Sequence, residues 1–110
     1  MAAQAELMSL LDLDDCRFEA PPFTAALPRL DRSGALTGHE YHLHDNGFAL
    51  PAVGAELPVL GRGQLLGRFV LDPKPHVGVS LEQRVVAVAL ADQVGAVLAA
   101  PERGRKKSHG

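Results

Sequence analysis

His39, His42 and His44 form the only cluster in the chain whose residue types and spacing suit a metal ion. On an extended strand, His42 and His44 project to the same face two residues apart. That arrangement suits one zinc or nickel ion held through imidazole nitrogens. His39 starts on the opposite face unless the strand bulges. Glu40 and Asp45 are near in sequence, but no cysteine or carboxylate completes a convincing ligand set. The plainer reading puts His42 and His44 on the wet face of an edge strand while Tyr41 and Leu43 face the core. The sequence favours that structural role and leaves metal binding as an alternative.

The other chemistry-bearing residues are scattered. Gly61-Arg62-Gly63 with Gly67 has the look of a phosphate-binding glycine loop. Its context is strand, turn, strand, whereas a nucleotide fingerprint needs strand, turn, helix. A hairpin turn is therefore expected, with Arg62 and Arg68 as surface or rim cations, and contact with an anionic ligand is the sharper alternative. Asp92 sits between Leu90 and Val94 in an apolar helix, where an acid lies at a rim or pairs with a cation. Gly95 costs that helix on the order of 1 kcal/mol against Ala, which close packing would offset. Cys16 is the single cysteine, so an internal disulfide and a cysteine-built zinc site are excluded. It is expected in or beside the core as a small hydrophobe. There are no paired carboxylates in catalytic context and no nucleophile elbow, and a Ser-His-Asp set can be assembled from any such inventory. The chain does not read as an enzyme.

The elements that must position these residues are few. The chain has 110 residues, enough for one domain and one core. A hydrophobic fraction of 46% argues against overall disorder, while 5% aromatics and no Trp mean a core of Leu, Val and Ala. A net charge of −2 gives no global footprint for nucleic acid. No apolar run approaches the ~20 residues that cross a bilayer. The first residues contain Glu6 and Asp12 and lack the basic start of a signal peptide. A soluble, cytoplasmic domain is expected, with a membrane region allowed outside this chain.

Apolar spacing predicts a helix over residues 2–13 with Ala3, Leu7, Leu10 and Leu11 on one face, ended by Asp14-Asp15. A strand is expected over 16–20, with Cys16 and Phe18 on one side and Arg17 and Glu19 on the other. Residues 21–28 read as a Pro-rich loop and 27–30 as a short extended piece. Asp31-Arg32-Ser33-Gly34 is a turn. A strand over 35–44 leads to Asn46-Gly47, a type I′ hairpin signal, with 48–50 pairing back. Strands over 55–60 and 64–71 flank the glycine turn. The second of these is apolar on both faces, with Leu66, Arg68 and Val70 on one side and Leu65, Gly67, Phe69 and Leu71 on the other, and is therefore central. After a loop over 72–79, Ser80 and Gln83 make a capping box for a helix running to about residue 99. That helix carries two apolar stripes, Leu81, Val85, Val88 and Leu98, and Val86, Leu90, Val94 and Val97. One can cover the sheet, and the other needs a second partner, either the N-terminal helix or another copy. Residues 101–110 read as a disordered basic tail.

Leu57-Pro58-Val59, Gly61-Arg62-Gly63, Leu66-Gly67-Arg68-Phe69-Val70-Leu71 and Ser80-Leu81-Glu82 with the helix that follows resemble the closing part of a GAF domain. Gly67 to Leu71 together with Val86 to Gly95 resemble, more narrowly, soluble C-terminal domains of actinobacterial membrane proteins. The transmembrane region of those proteins is similar to that of potassium-responsive sensor histidine kinases. The resemblance implies a signalling or sensor module with two terminal helices available for dimer formation. GAF domains that hold cyclic nucleotides, haem or bilins roof the pocket with a long insertion. Only residues 38–55 are available for one here, so no family ligand residue carries over.

Together these readings predict one α+β domain over residues 1–100: a GAF-like antiparallel sheet of five to six strands with the N- and C-terminal helices on one face. The expected function is a non-enzymatic sensory or regulatory domain of a bacterial signalling protein. It would dimerise through Val86, Leu90, Val94 and Val97, and a small ligand, if bound, would lie near Tyr41, His42, His44 and Arg68. No cofactor is expected. The alternatives are a ligand-free protein–protein interaction domain, or a small metal-binding protein using His39, His42 and His44.

Overall fold

The computed structural model describes residues 2–37 and 48–100. In chain order these form helix α1 (Ala2–Leu11), strands β1 (Leu13–Glu19), β2 (Phe48–Ala49), β3 (Ala55–Gly61), β4 (Gln64–Pro73) and β5 (Gly78–Val79), and helix α2 (Leu81–Ala99). The fold is α+β. Strands β1, β4 and β3 form an antiparallel sheet in that order, and β2 pairs antiparallel with β5. β4 is central, as its two apolar faces predict. Among the described residues the strands divide into a three-stranded and a two-stranded sheet instead of one larger sheet. The hairpin expected at Asp45-Asn46-Gly47 and most of the strand expected over 35–44 lie outside the described residues, as does the tail over 101–110.

Several boundaries differ from the sequence reading for local reasons. α1 ends at Leu11, two residues early, because Asp12 turns into the left-handed region at φ 53° and Leu13 already belongs to β1. Gln83 of α2 donates its side-chain amide to the Leu10 carbonyl at 2.9 Å, satisfying one of the acceptors left open at that helix end. Residues 72–79 are not all loop, since Gly78–Val79 forms β5 opposite Phe48–Ala49. The β3–β4 connection is a two-residue turn with Arg62 at φ 54° and Gly63 at φ 76°, the paired positive angles of a type I′ hairpin.

A bulge in that hairpin resets one face. The register shifts between Val59 and Leu60, so that Val59 faces Gly67 while Leu60 faces Leu65. Leu66 is the extra residue. Leu65 therefore leaves the Gly67, Phe69 and Leu71 set predicted by strict alternation and joins Arg68 on the opposite face.

α2 starts as expected. The Ser80 hydroxyl accepts from the Gln83 backbone N–H, and the Gln83 side chain accepts from Ser80 N–H. Its buried face, however, takes only Val88 from the two apolar stripes. The buried residues are Arg84, Ala87, Val88, Ala91 and Gly95, while Leu81, Val85, Val86, Val97 and Leu98 are exposed. The reason is distance. At Gly95 a Cβ would fall inside the van der Waals shell of the Leu60 carbonyl, and at Gly61 it would meet Ala99 and the Gly95 carbonyl. Only small side chains fit a helix lying that close to a strand. α1 packs against β1 and against α2, so both helices share one side of the sheet. The core between them and the sheet includes Leu7, Leu11, Cys16, Leu57, Val59, Phe69, Leu71, Ala87 and Ala91.

Candidate functional site

The opposite side of the sheet is polar and buried at once. Arg68, in the middle of β4, is 2% exposed. Its Nε and Nη2 reach Glu19 Oε1 on β1 at 2.9 and 2.6 Å, and its Nη1 donates to Glu56 Oε1 on β3 at 2.8 Å. Glu56, itself buried, takes a further bond on Oε2 from Arg29 Nε at 2.9 Å. The Phe23 ring closes the cluster from above, with the guanidinium carbon 4.5 Å from its centroid. Burial opposes the charge on Arg68, but the bonds and charges of Glu56 and Glu19 outweigh it and raise the pKa above the ordinary arginine value. The sequence reading of Arg68 as a rim cation is thus corrected. Its two carboxylates stand on neighbouring strands on the same face, which turns a surface-type residue into the centre of a buried ion cluster.

Residues 20–37 form a strap that leaves β1, places Phe23 over Arg68 of β4 and meets the edge of β3 at residues 28–30. Leu30 N–H donates to the Glu56 carbonyl and Glu56 N–H to the Pro28 carbonyl, so Arg29 bridges β3 in a parallel sense. The turn that follows is built on Asp31, whose Oδ1 accepts from the Ser33 hydroxyl and from the Ser33 and Ala35 N–H groups. Those bonds, the Ser33 hydroxyl first, hold the carboxyl below its usual range. Arg32 reaches across to Asp92 on α2 with two parallel bonds of 2.9 and 2.7 Å. This is the cation partner predicted for Asp92, and the bonds from Arg32 lower the Asp92 pKa. Farther along the strap, buried Arg84 of α2 donates to the carbonyls of Gly34 (2.6 Å) and Val79, and burial lowers its pKa.

Between strap, sheet and α2 lies a pocket of about 380 Å³. It is lined by Arg68 and Glu56 of the sheet, Phe23 of the strap, and Val88 and Asp92 of α2. Leu65, carried there by the bulge, and Leu60 form part of the wall. A second, smaller groove of about 260 Å³ runs between the start of α1 and the end of α2, lined by Ala2, Ala3, Glu6, Leu90, Gln93, Val94, Val97 and Leu98.

Of the predicted pocket residues, only Arg68 is described; Tyr41, His42 and His44, like His39, lie outside the described residues. Among the described residues no three His, Cys, Asp or Glu side chains gather to hold a metal ion. The predicted interface residues separate into two kinds. Val86 and Val97 are exposed, while Leu90 and Val94 are half-buried and packed on the core at the α1 side. Cys16 is buried as expected, and burial, helped by the charge of Asp15, pushes its thiol to about 11. The sequence reading missed Glu19, Phe23, Arg29, Arg32 and Glu56 as site residues. Glu56 carried a signal, being a lone acid inside the run Ala55-Glu56-Leu57-Pro58-Val59, where an unpaired charge would be costly.

Comparison with known protein families, with curated proteins and with solved structures gives no match. Among the described residues no helix is long and apolar enough to cross a membrane.

Proposed function

We propose that the chain is a non-enzymatic, GAF-like regulatory domain of a bacterial signalling protein, cytoplasmic in location, that works through dimerisation of its terminal helix. The observation that carries this reading is the outer face of α2. Val97 is 73% and Leu98 50% exposed, and they continue into the groove at Leu90 and Val94. A second copy of the same helix is the partner whose surface matches that stripe by symmetry. The GAF-like reading is supported by the two terminal helices on one side of an antiparallel sheet. It is supported also by the bridges of Arg29 to Glu56 and of Leu30 to Leu36, which continue the strand order outward from β3 toward a sheet of five to six strands.

Sedimentation equilibrium of the full chain tests the proposal. Wild type is expected to dimerise at micromolar concentration, and Val97→Glu to weaken the dimer by about tenfold or more with an unchanged melting temperature. A wild-type monomer, or a dimer indifferent to Val97→Glu and Leu98→Glu, would overturn it. A ligand-free protein–protein interaction domain is the second reading, favoured by the same exposed residues. A dimer equilibrium that shifts with occupancy of the pocket separates the regulatory reading from it.

A further inference from the structure

We propose that the pocket between the strap, β3 and α2 binds an uncharged, largely apolar small molecule. The proposal deepens the regulatory reading by naming the ligand class, and rests on it for the consequence of binding. The volume of about 380 Å³ lies within the range of small-molecule sites, roughly 300–1,000 Å³. The apolar binding surface is supplied by Pro58, Leu60, Leu65, Val88 and the Phe23 ring.

The charge of the ligand follows from the ion pairs. Three cations line the pocket, Arg29, Arg32 and Arg68, and three anions, Asp31, Glu56 and Asp92. Each is already engaged. Glu56 accepts Arg68 on one oxygen and Arg29 on the other, and Asp92 accepts Arg32 on both. Asp31 is taken up by Ser33 and Ala35. At Arg68 a carboxylate or phosphate would have to draw the guanidinium from Glu56 and Glu19, and a cation would have to strip Glu56 from Arg68. Breaking that pair leaves a buried charge uncompensated, which a small ligand does not offset. Arg29 and Arg32 are more than half exposed and are balanced by Glu56 and Asp92, so the rest of the lining offers no net charge to either sign. A neutral apolar molecule disturbs no pair and gains the whole apolar wall.

The arrangement also tells α2 whether the pocket is filled. Val88 and Asp92 line it one helical turn apart on α2, and Arg32 ties the strap to the same turn. A ligand seated there touches the helix directly.

Methyl-labelled full chain titrated with indole, indole-3-carboxylate and tryptamine tests the assignment. Indole is expected to shift the Leu60, Leu65 and Val88 methyl resonances saturably, the two charged analogues to bind at least about tenfold more weakly, and Leu65→Trp to block indole while leaving the remaining methyl spectrum folded. Leu65 is 44% exposed, so the larger ring fills the mouth without entering the core. No saturable shift at those methyls, equal affinity for the carboxylate, or shifts confined to Leu90 and Val94 would overturn it. Sedimentation of the same samples keeps the two proposals apart. Indole bound to a protein that never dimerises sinks the helix-mediated reading alone, and a dimer with no indole site sinks the ligand assignment alone.

Discussion

On the helix side of the sheet, Cys16, Leu57, Val59, Phe69 and Leu71 meet α1 and the small face of α2 in an apolar layer. On the strap side, Glu19, Glu56 and Arg68 alternate with those same residues along the same three strands; Glu56 and Arg68 are almost as well buried and Glu19 is half-buried. One side is closed by shape and the other by charge. The first tolerates loss of fit poorly, because two backbones nearly touch at Gly95 and Leu60. The second tolerates loss of a partner poorly, because each ion depends on the others. The difference teaches where change is permitted: the apolar side fixes the fold, while the charged side leaves a pocket beside it.

Substitutions can break this contrast, beginning at the helix side. Gly→Ala in an ordinary helix interior gains ~1 kcal/mol. Gly95→Ala is expected to lose about 3 kcal/mol in urea unfolding, and Gly95→Val to prevent α2 from seating, because the clash is with backbone. A neutral or stabilising Gly95→Ala would show that α2 lifts from β3 without cost.

On the strap side, Glu56→Ala is expected to cost about 3 kcal/mol, since it strips one of the two carboxylates from a buried guanidinium. Glu19→Gln/Glu56→Gln/Arg68→Met removes the charges together and is expected to recover most of that loss by the same denaturation assay. If the triple variant is no better than Glu56→Ala, packing and not charge holds this side together.

Cys16 reports on the helix side. Its folded pKa of about 11 lies above the ordinary 9.0, so the folded state favours the protonated thiol. The resulting stability is present below pH 9.0 and is lost as pH rises toward 11. Cys16→Ala should flatten that alkaline decline in melting temperature, and the native thiol should resist alkylation at pH 8.

The smallest effect belongs to the Arg32–Asp92 bridge, both of whose side chains are well exposed. The lowered Asp92 pKa means its contribution is present above the ordinary carboxylate range and fades as acid protonates the folded carboxyl. Asp92→Asn should therefore melt slightly below wild type at neutral pH and together with it in acid.

What was readable from the sequence was what neighbours in the chain decide. Arg62-Gly63 sets its own hairpin, Ser80 and Gln83 cap their own helix, and apolar runs mark β3 and β4. The burial of Arg68 was not readable, because its carboxylates lie 49 and 12 residues away and meet it only after the strands pair. The face of α2 was misread for a different reason. Large apolar residues signal a core at ordinary helix–sheet spacing, whereas here Ala87, Ala91 and Gly95 recur every four residues to let the backbone approach.

That approach gives Leu60 two neighbours. Its side chain forms part of the pocket wall, and its carbonyl is the seat on which Gly95 rests. Beyond Val88 and Asp92, which line the pocket themselves, the end of α2 at Gly95 is therefore separated from the pocket wall by one peptide unit, with no side chain between to absorb a displacement. In mechanical terms the joint has no backlash: a wall that moves outward carries the helix with it.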